Sequence, residues 1–221
     1  GYHAVKLRRY QELIDHRLDG ELRGIIGALQ KAQTAEDVMS ALAACPSLNM
    51  LNTRYIIYNP EQQPLKNPYA FGNAWFVDKV QYVNNANEEI DALNDILPTE
   101  TAVVDVKFKE QLKGVTEGYK DSLSTIQLTS YEPNRLVYKA STPKDGVVVF
   151  SEIYYPGWQA TIDGQPVDIA RADYVLRVMN IPAGEHTIEM WFDPQSLHVT
   201  ESIAYASLAL LLIGVMILIW F

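Results

Sequence analysis

Residues 146–194 read GVVVFSEIYYPGWQATIDGQPVDIARADYVLRVMNIPAGEHTIEMWFDP, and the fold is decided there. Val147 to Ile153 is β-branched and aromatic between Asp145-Gly146 and Pro156-Gly157, which predicts a buried strand. Trp158 to Ile162 predicts a second strand. The Asp163-Gly164 pair after it suits a two-residue hairpin turn, in which both central residues take positive φ. Val167 to Ile169 returns from that turn, Tyr174 to Ile181 is a further strand, and Pro182-Ala183-Gly184 is a tight turn before a last strand, His186 to Phe192. In that last strand His186, Ile188, Met190 and Phe192 point one way and Thr187, Glu189 and Trp191 the other. Short strands at this spacing describe an antiparallel β-sandwich, jelly-roll-like.

Upstream, Ser124 to Ser130 and Leu136 to Ala140 begin the sandwich, with Pro133-Asn134 as their turn. Lys109 to Asp121, with Gly114 and Gly118, is the best linker candidate. The expected division is a helical and mixed region over 1–115, a sandwich over 122–194 and a terminal apolar segment over 202–221. In the first region, Leu7, Tyr10, Leu13, Ile14 and Leu18 recur at helical spacing. Asp19-Gly20 interrupts them, and Leu22, Ile25, Ile26 and Leu29 resume. Thr34 with Asp37 is a capping box for a third helix, ended by Cys45-Pro46. Leu48 to Tyr58 turns to β-type composition, and prolines 60, 64 and 68 mark a loop. Ala74 to Val83 predicts one strand, Asn87 to Leu97 a short acidic helix, and Ala102 to Phe108 another strand. The fold class is therefore α+β, with the mixed region packed on the sandwich.

Ser202 to Phe221, SIAYASLALLLIGVMILIWF, has no charge and no proline and is about as long as a bilayer-crossing helix. The alternative is a buried core helix or a hydrophobic partner helix, but a run apolar on every face favours a transmembrane span, which is expected. The nearest Lys or Arg before it is Arg177, whereas Glu189, Asp193 and Glu201 lie closer. A flank poor in basic residues places the preceding body on the extracytoplasmic side. Lys6, Arg8 and Arg9 form a small basic cluster that reads as a solvated helix face or as a segment near a membrane surface after an earlier span. A chain starting at Gly1 is expected to be a piece of a longer protein.

The balance of 18 Lys plus Arg against 27 Asp plus Glu, a formal charge of -9, argues against a nucleic-acid partner. One cysteine, Cys45, excludes an internal disulfide, and His3, His16, His186 and His198 have no metal-ligand spacing. No metal and no cofactor is expected: phosphate-loop, dinucleotide and G-x-S-x-G signatures are all missing. A catalytic set is not assembled by any spacing. Glu152, inside a strand beside Ser151 and two tyrosines, could belong to a carboxylate pair for glycoside hydrolysis, with Asp163, Asp168, Asp173, Glu185 and Glu189 nearby in sequence. The aromatic group is the other feature. Tyr154, Tyr155, Trp158, Tyr174 and Trp191 could stack on sugar rings, or they could anchor the sheets. The candidate glycan-binding set is Tyr154, Tyr155, Trp158, Trp191, Glu152 and Arg171, with Arg171 and Arg177 alternatively pairing buried acids.

Several pieces together carry a resemblance: GYHAVKLRRYQELID from Gly1, LNMLNTRYII from Leu48, GNAWFV from Gly72, VFSEIYYPGWQATIDG from Val149 and IPAGEHTIEMWF from Ile181. Over most of its length the chain resembles bacterial YfhO-type membrane proteins. The resemblance implies a polytopic protein with a C-terminal extracytoplasmic region and a last hydrophobic segment. It further implies likeness to the GT-C class of glycosyltransferases, which use polyprenyl-phosphate sugars to decorate cell-surface polymers. The acidic base expected in such enzymes belongs to an early loop that does not match this chain, so no catalytic residue carries over. The expectation is a non-catalytic extracytoplasmic part with a glycan-docking or scaffold role, its partners being the membrane and a cell-surface glycan or polyprenyl-phosphate sugar. The competing expectations are a membrane-anchored module that binds an envelope protein and an exported glycosidase that uses Glu152.

Overall fold

The structure is a computed structural model and describes residues 7–220. His3 and Lys6, with the other residues before Leu7, and Phe221 lie outside the described residues.

The chain opens with one continuous helical rod: α1 (Arg8–Leu13), a π-type segment (Ile14–Leu18) and α2 (Asp19–Lys31). The break expected at Asp19-Gly20 does not occur. A Cβ on Gly20 would meet nothing, so this glycine costs only its backbone entropy, about 1 kcal/mol. The wide π turn over the preceding residues keeps Leu13, Leu18 and Ile25 together in the core. Thr34 caps α3 (Ala35–Ala43): its hydroxyl accepts from the Asp37 N–H, and the Asp37 carboxylate accepts from the Thr34 N–H. Pro46 then sits in the first turn of α4 (Pro46–Met50). The Glu21 carboxylate accepts the Ser47 and Leu48 N–H groups at 3.0 and 2.9 Å, so the apolar run expected as a strand begins as a buried helical turn. Its only extended part is β1 (Tyr55–Ile56), paired with β2 (Leu65–Lys66).

The strand expected over Ala74 to Val83 is two strands in two sheets. β3 (Ala74–Val77) ends at Asp78, and β4 (Lys79–Val83) runs parallel to β5 (Thr101–Asp105). The Asp78 and Lys79 N–H groups both bond to the Glu100 carbonyl, and Gly118 bonds back to the Asp78 carbonyl, so the chain is clamped where it changes sheet. Between them lies α5 (Ala86–Ala92), capped by the Asn85 side chain. After β5 the Asp105 carboxylate accepts the Lys107 N–H and turns the chain into a 3-10 turn over Val106–Phe108. Residues 109–121 lie against the body: Leu112 is fully buried and the Val80 N–H bonds to the Thr116 carbonyl.

The sandwich follows. β6 (Thr125–Glu132), β7 (Arg135–Thr142), β8 (Gly146–Ile153), β9 (Trp158–Ile162), β10 (Gln165–Val167), β11 (Ala170–Ala172), β12 (Leu176–Ile181) and β13 (Gly184–Phe192) form two antiparallel sheets. One has the order β10-β9-β13-β7-β6, the other β11-β12-β8-β3. Thus β3, from before residues 109–121, completes the second sheet against β8. Phe76, Tyr138, Val148, Phe150, Met179, Ile188 and Met190 fill the space between the sheets, with Tyr138 and Phe150 edge to face at 5.0 Å. Val147, Val149, Val178, Trp75 and Val77 face the other way, onto the helices and the β4–β5 pair. The second sheet is covered on both faces. That is why Val147–Phe150 is an unbroken apolar run, whereas β7 alternates. Asp163 and Gly164 both have positive φ, as their hairpin turn requires.

Finally α6 (Gln195–Trp220) is a single 26-residue helix without a buried residue, long and apolar enough to cross a membrane. It begins earlier than the expected segment because the polar residues Gln195 to Glu201 are helical too.

Candidate functional site

The antiparallel registers sort the sandwich into two ends. The end of β8, the start of β9, the end of β13 and the start of β7 share one end, shown by the pairs Phe192 with Trp158 and Trp191 with both Arg135 and Gln159. α6 leaves from that end. The Phe192 N–H bonds to the Asn134 carbonyl and the Asp193 N–H to the Gly157 carbonyl at 2.8 Å. Gly157 has φ of 103°, and a Cβ there would come within 2.8 Å of the Pro194 Cβ, so a side chain would push the helix start off the β8–β9 loop.

Glu152, Tyr154, Tyr155, Trp158 and Trp191 lie toward this end. Tyr155 is 47% exposed and leans on Phe192, with ring centroids 6.0 Å apart. Trp158 is half-buried, 5.7 Å from Phe192 and covered by the Arg177 guanidinium at 3.9 Å. Arg177 itself is buried, and burial pulls it down to about 10 although the nearby Glu152 charge opposes this. Tyr138, close by in the core, has its phenol raised by burial and has no hydrogen-bond partner. Trp191 is half-exposed on the outer face of the first sheet. Tyr154 packs edge to face on Phe108 at 5.5 Å.

Arg171 lies deeper, in a buried ionic group. The fully buried Glu89 of α5 accepts from Arg171 at 2.9 Å and from Arg9 of α1 at 2.8 Å, and Asp105 lies 3.7 Å from Arg171. Burial alone would raise Asp105, but the Lys107 N–H and ammonium and then Arg171 hold it below the ordinary value. The guanidinium of Arg171 also stacks 5.0 Å from the Phe108 ring centre, and that of Arg9 4.5 Å from Tyr174. Such a group ties four elements of the chain together, α1, α5, β5 and β11, because breaking one partner strands a charge in the interior. Arg8, by contrast, pairs on the surface with Glu12, which also accepts the Tyr174 hydroxyl at 2.5 Å.

Beside this group is a turn that the sequence does not reveal. Asp173 and Tyr174, at φ of 48° and 71°, are both left-handed. Asp173 is held by its main chain and its side chain at once: its N–H donates to the Val103 carbonyl and its Oδ1 accepts the Val103 N–H, each at 2.8 Å. Its Oδ2 is buried without a partner. Desolvation, followed by the opposing Val103 bond and the repelling Glu89 charge, pushes the carboxyl up to about 8. The strained turn carries Tyr174 onto α1.

A cavity of about 270 Å³ opens where these parts meet, lined by Leu7, Arg9, Tyr10, Tyr154, Tyr155 and Arg171 among others. It brings three of the six candidate residues together. Glu152, Trp158 and Trp191 are outside its lining. Leu7 to Tyr10 line it as well. Sequence offered for them a helical stripe through Leu7 and Tyr10 and a basic cluster at Arg8 and Arg9, with no sign that α1 returns to the β8–β9 loop. Among the described residues no group of three or more His, Cys, Asp or Glu could hold a metal. Cys45 is buried, and desolvation raises its thiol to about 11, which leaves it unreactive.

No curated protein and no solved structure matches the chain. One family does: residues 105–204, from the end of β5 through the sandwich and into α6, match the model described as bacterial membrane protein YfhO. Over that segment the chain is similar to bacterial membrane protein YfhO, and the long apolar terminal helix agrees with a membrane protein.

Proposed function

We propose that the chain is the extracytoplasmic, non-catalytic part of a polytopic membrane protein of cell-surface glycan modification, and that it docks a glycan or a polyprenyl-phosphate-linked sugar at the membrane surface. The observation that carries the reading is the cavity at the β8–β9 loop, whose lining includes Tyr154, Tyr155, Arg9 and Arg171. Aromatic faces with charged donors nearby are the chemistry that holds sugars and their phosphates. A polyprenyl-linked sugar is delivered from the bilayer, so a site next to a membrane helix can meet it without removing the lipid from the membrane.

The test is binding by the full chain in lipid nanodiscs, using a synthetic short-chain polyprenyl-phosphate N-acetylhexosamine and a panel of envelope glycans. Binding of either that falls at least tenfold in Tyr155→Ala, with the fold intact, supports the docking role. Absence of binding to both classes of probe overturns it and leaves a body that only supports the membrane portion.

A further inference from the structure

We infer that the end of the sandwich from which α6 departs rests on the headgroup layer of the bilayer that α6 enters, with Tyr131, Tyr155 and Trp191 as interfacial anchors. Tyr131 pairs with Leu136 at the end of β6, Trp191 with Arg135 at the end of β13, and Tyr155 lies in the β8–β9 loop, so all three reach the same level. Tyr131 is 66% exposed and Tyr155 47%. Leu7, also well exposed, lines the same cavity as Tyr155. At the opposite end the turns are Asp145-Gly146, Asp163-Gly164 and Pro182-Ala183, with Glu185 following, and the nearby aromatic is Tyr119, half-buried under Lys144. The two ends therefore differ in kind. Rings with an apolar body and a polar tip collect at the end that carries the apolar helix, as they do where a protein crosses from water to lipid.

The lengths agree with this placement. Ile203 to Trp220 spans about 27 Å at 1.5 Å per residue, close to the hydrocarbon thickness of about 30 Å. The polar turns from Gln195 to Ser202 add about 12 Å. The headgroup region fills roughly half of that, and protruding aromatic side chains fill much of the rest. The base of α6 is tied to the β8–β9 loop through Asp193 and Gly157, which keeps the body close to the surface. Charge at this end is mixed: Arg8 and Arg135 stand against Glu132, Asp193 and Glu201. Contact through aromatic rings, rather than attraction of anionic lipid, is what such a surface supports.

The buried single thiol makes the experiment direct. In the full chain with Cys45→Ala, a bimane label is placed through Tyr155→Cys, Tyr131→Cys or, at the far hairpin, Gln165→Cys. Each protein is put into phosphatidylcholine vesicles containing a headgroup-nitroxide lipid. Labels at 155 and 131 are expected to be quenched at least threefold more than the label at 165, with no gain when phosphatidylglycerol is added. Equal quenching at the two ends overturns the proposal, and quenching that appears only with phosphatidylglycerol overturns the aromatic account of it. Tyr131, on an edge strand, provides the reading should Tyr155→Cys disturb the loop. No sugar enters the measurement, so it stands or fails independently of glycan docking.

Discussion

Replacing Asp173 by Asn should remove a pH dependence from the stability of the folded body. The carboxyl is wholly buried and is pushed from 3.8 to about 8, mainly by desolvation and further by the Glu89 charge. The charged and titratable groups of the same region are Glu89 on α5, Asp105 on β5, Arg171 on β11, Arg9 on α1 and Tyr174 beside it. For an acid whose folded-state pKa is raised, the favourable contribution is complete below the unfolded value and is lost as pH rises through the folded one. The window is therefore about pH 4 to 8. A tenfold change in proton affinity is worth about 1.4 kcal/mol, so the whole window is worth on the order of 5 kcal/mol. Asn keeps the acceptor for the Val103 N–H and tolerates the left-handed φ at this position, so the substitution isolates ionisation from geometry. Urea unfolding of the full chain in detergent, followed by near-ultraviolet circular dichroism at pH 5 and pH 8, measures the effect. The wild type should be the less stable at pH 8, and Asp173→Asn should flatten the difference. Equal pH slopes in the two proteins would refute a neutral buried Asp173.

Other perturbations test separate parts. Arg171→Met leaves Glu89 with Arg9 as its one remaining guanidinium, and should cost about 3–5 kcal/mol in the same urea assay. A double Arg171→Met, Glu89→Met variant should recover much of that loss. Gly118→Ala would force a Cβ to within 2.1 Å of the Val77 carbonyl oxygen, so residues 109–121 should detach and exchange amide hydrogens at least tenfold faster. His186, bonded to the Asp163 carboxylate at 2.6 Å, has its pKa raised above 6.5 by that partner. Its favourable contribution is present below pH 6.5 and fades as pH rises through the raised value. In an NMR titration, Asp163→Asn should lower the His186 midpoint.

How far the sequence could be read depended on whether a signal was local. The capping box at Thr34 and Asp37, the Asp163-Gly164 hairpin and the alternation of Ile188 and Met190 against Glu189 and Trp191 are fixed by near neighbours, and each is seen. Leu48 to Met50 misleads because apolar content alone does not distinguish a buried helical turn from a strand. The deciding contact is the Glu21 carboxylate, 26 residues away in sequence from Ser47. Ala74 to Val83 looks continuous, but two sheets compete for it, and Asp78 is bent by bonds to Glu100 and Gly118. Of the aromatic group expected at the candidate site, Tyr154, Tyr155 and Tyr174 line the cavity, while Trp158 and Trp191 lie outside it. The meeting of Arg9, Glu89, Asp105 and Arg171 was not legible, because each pair is joined by the fold rather than by spacing. Asp173 gave no sign either: a left-handed turn beside a strand is set by its clasp on Val103.

The central claim is that α6 is embedded in lipid while the sandwich stays outside it. A nitroxide placed by Leu210→Cys, in the Cys45→Ala background and in lipid vesicles, tests this by its collisions with oxygen and with a water-soluble nickel chelate. The account predicts strong relaxation by oxygen and almost none by the chelate, with the opposite at Gln165→Cys. A label at 210 that collides freely with the chelate would place α6 in water and contradict it.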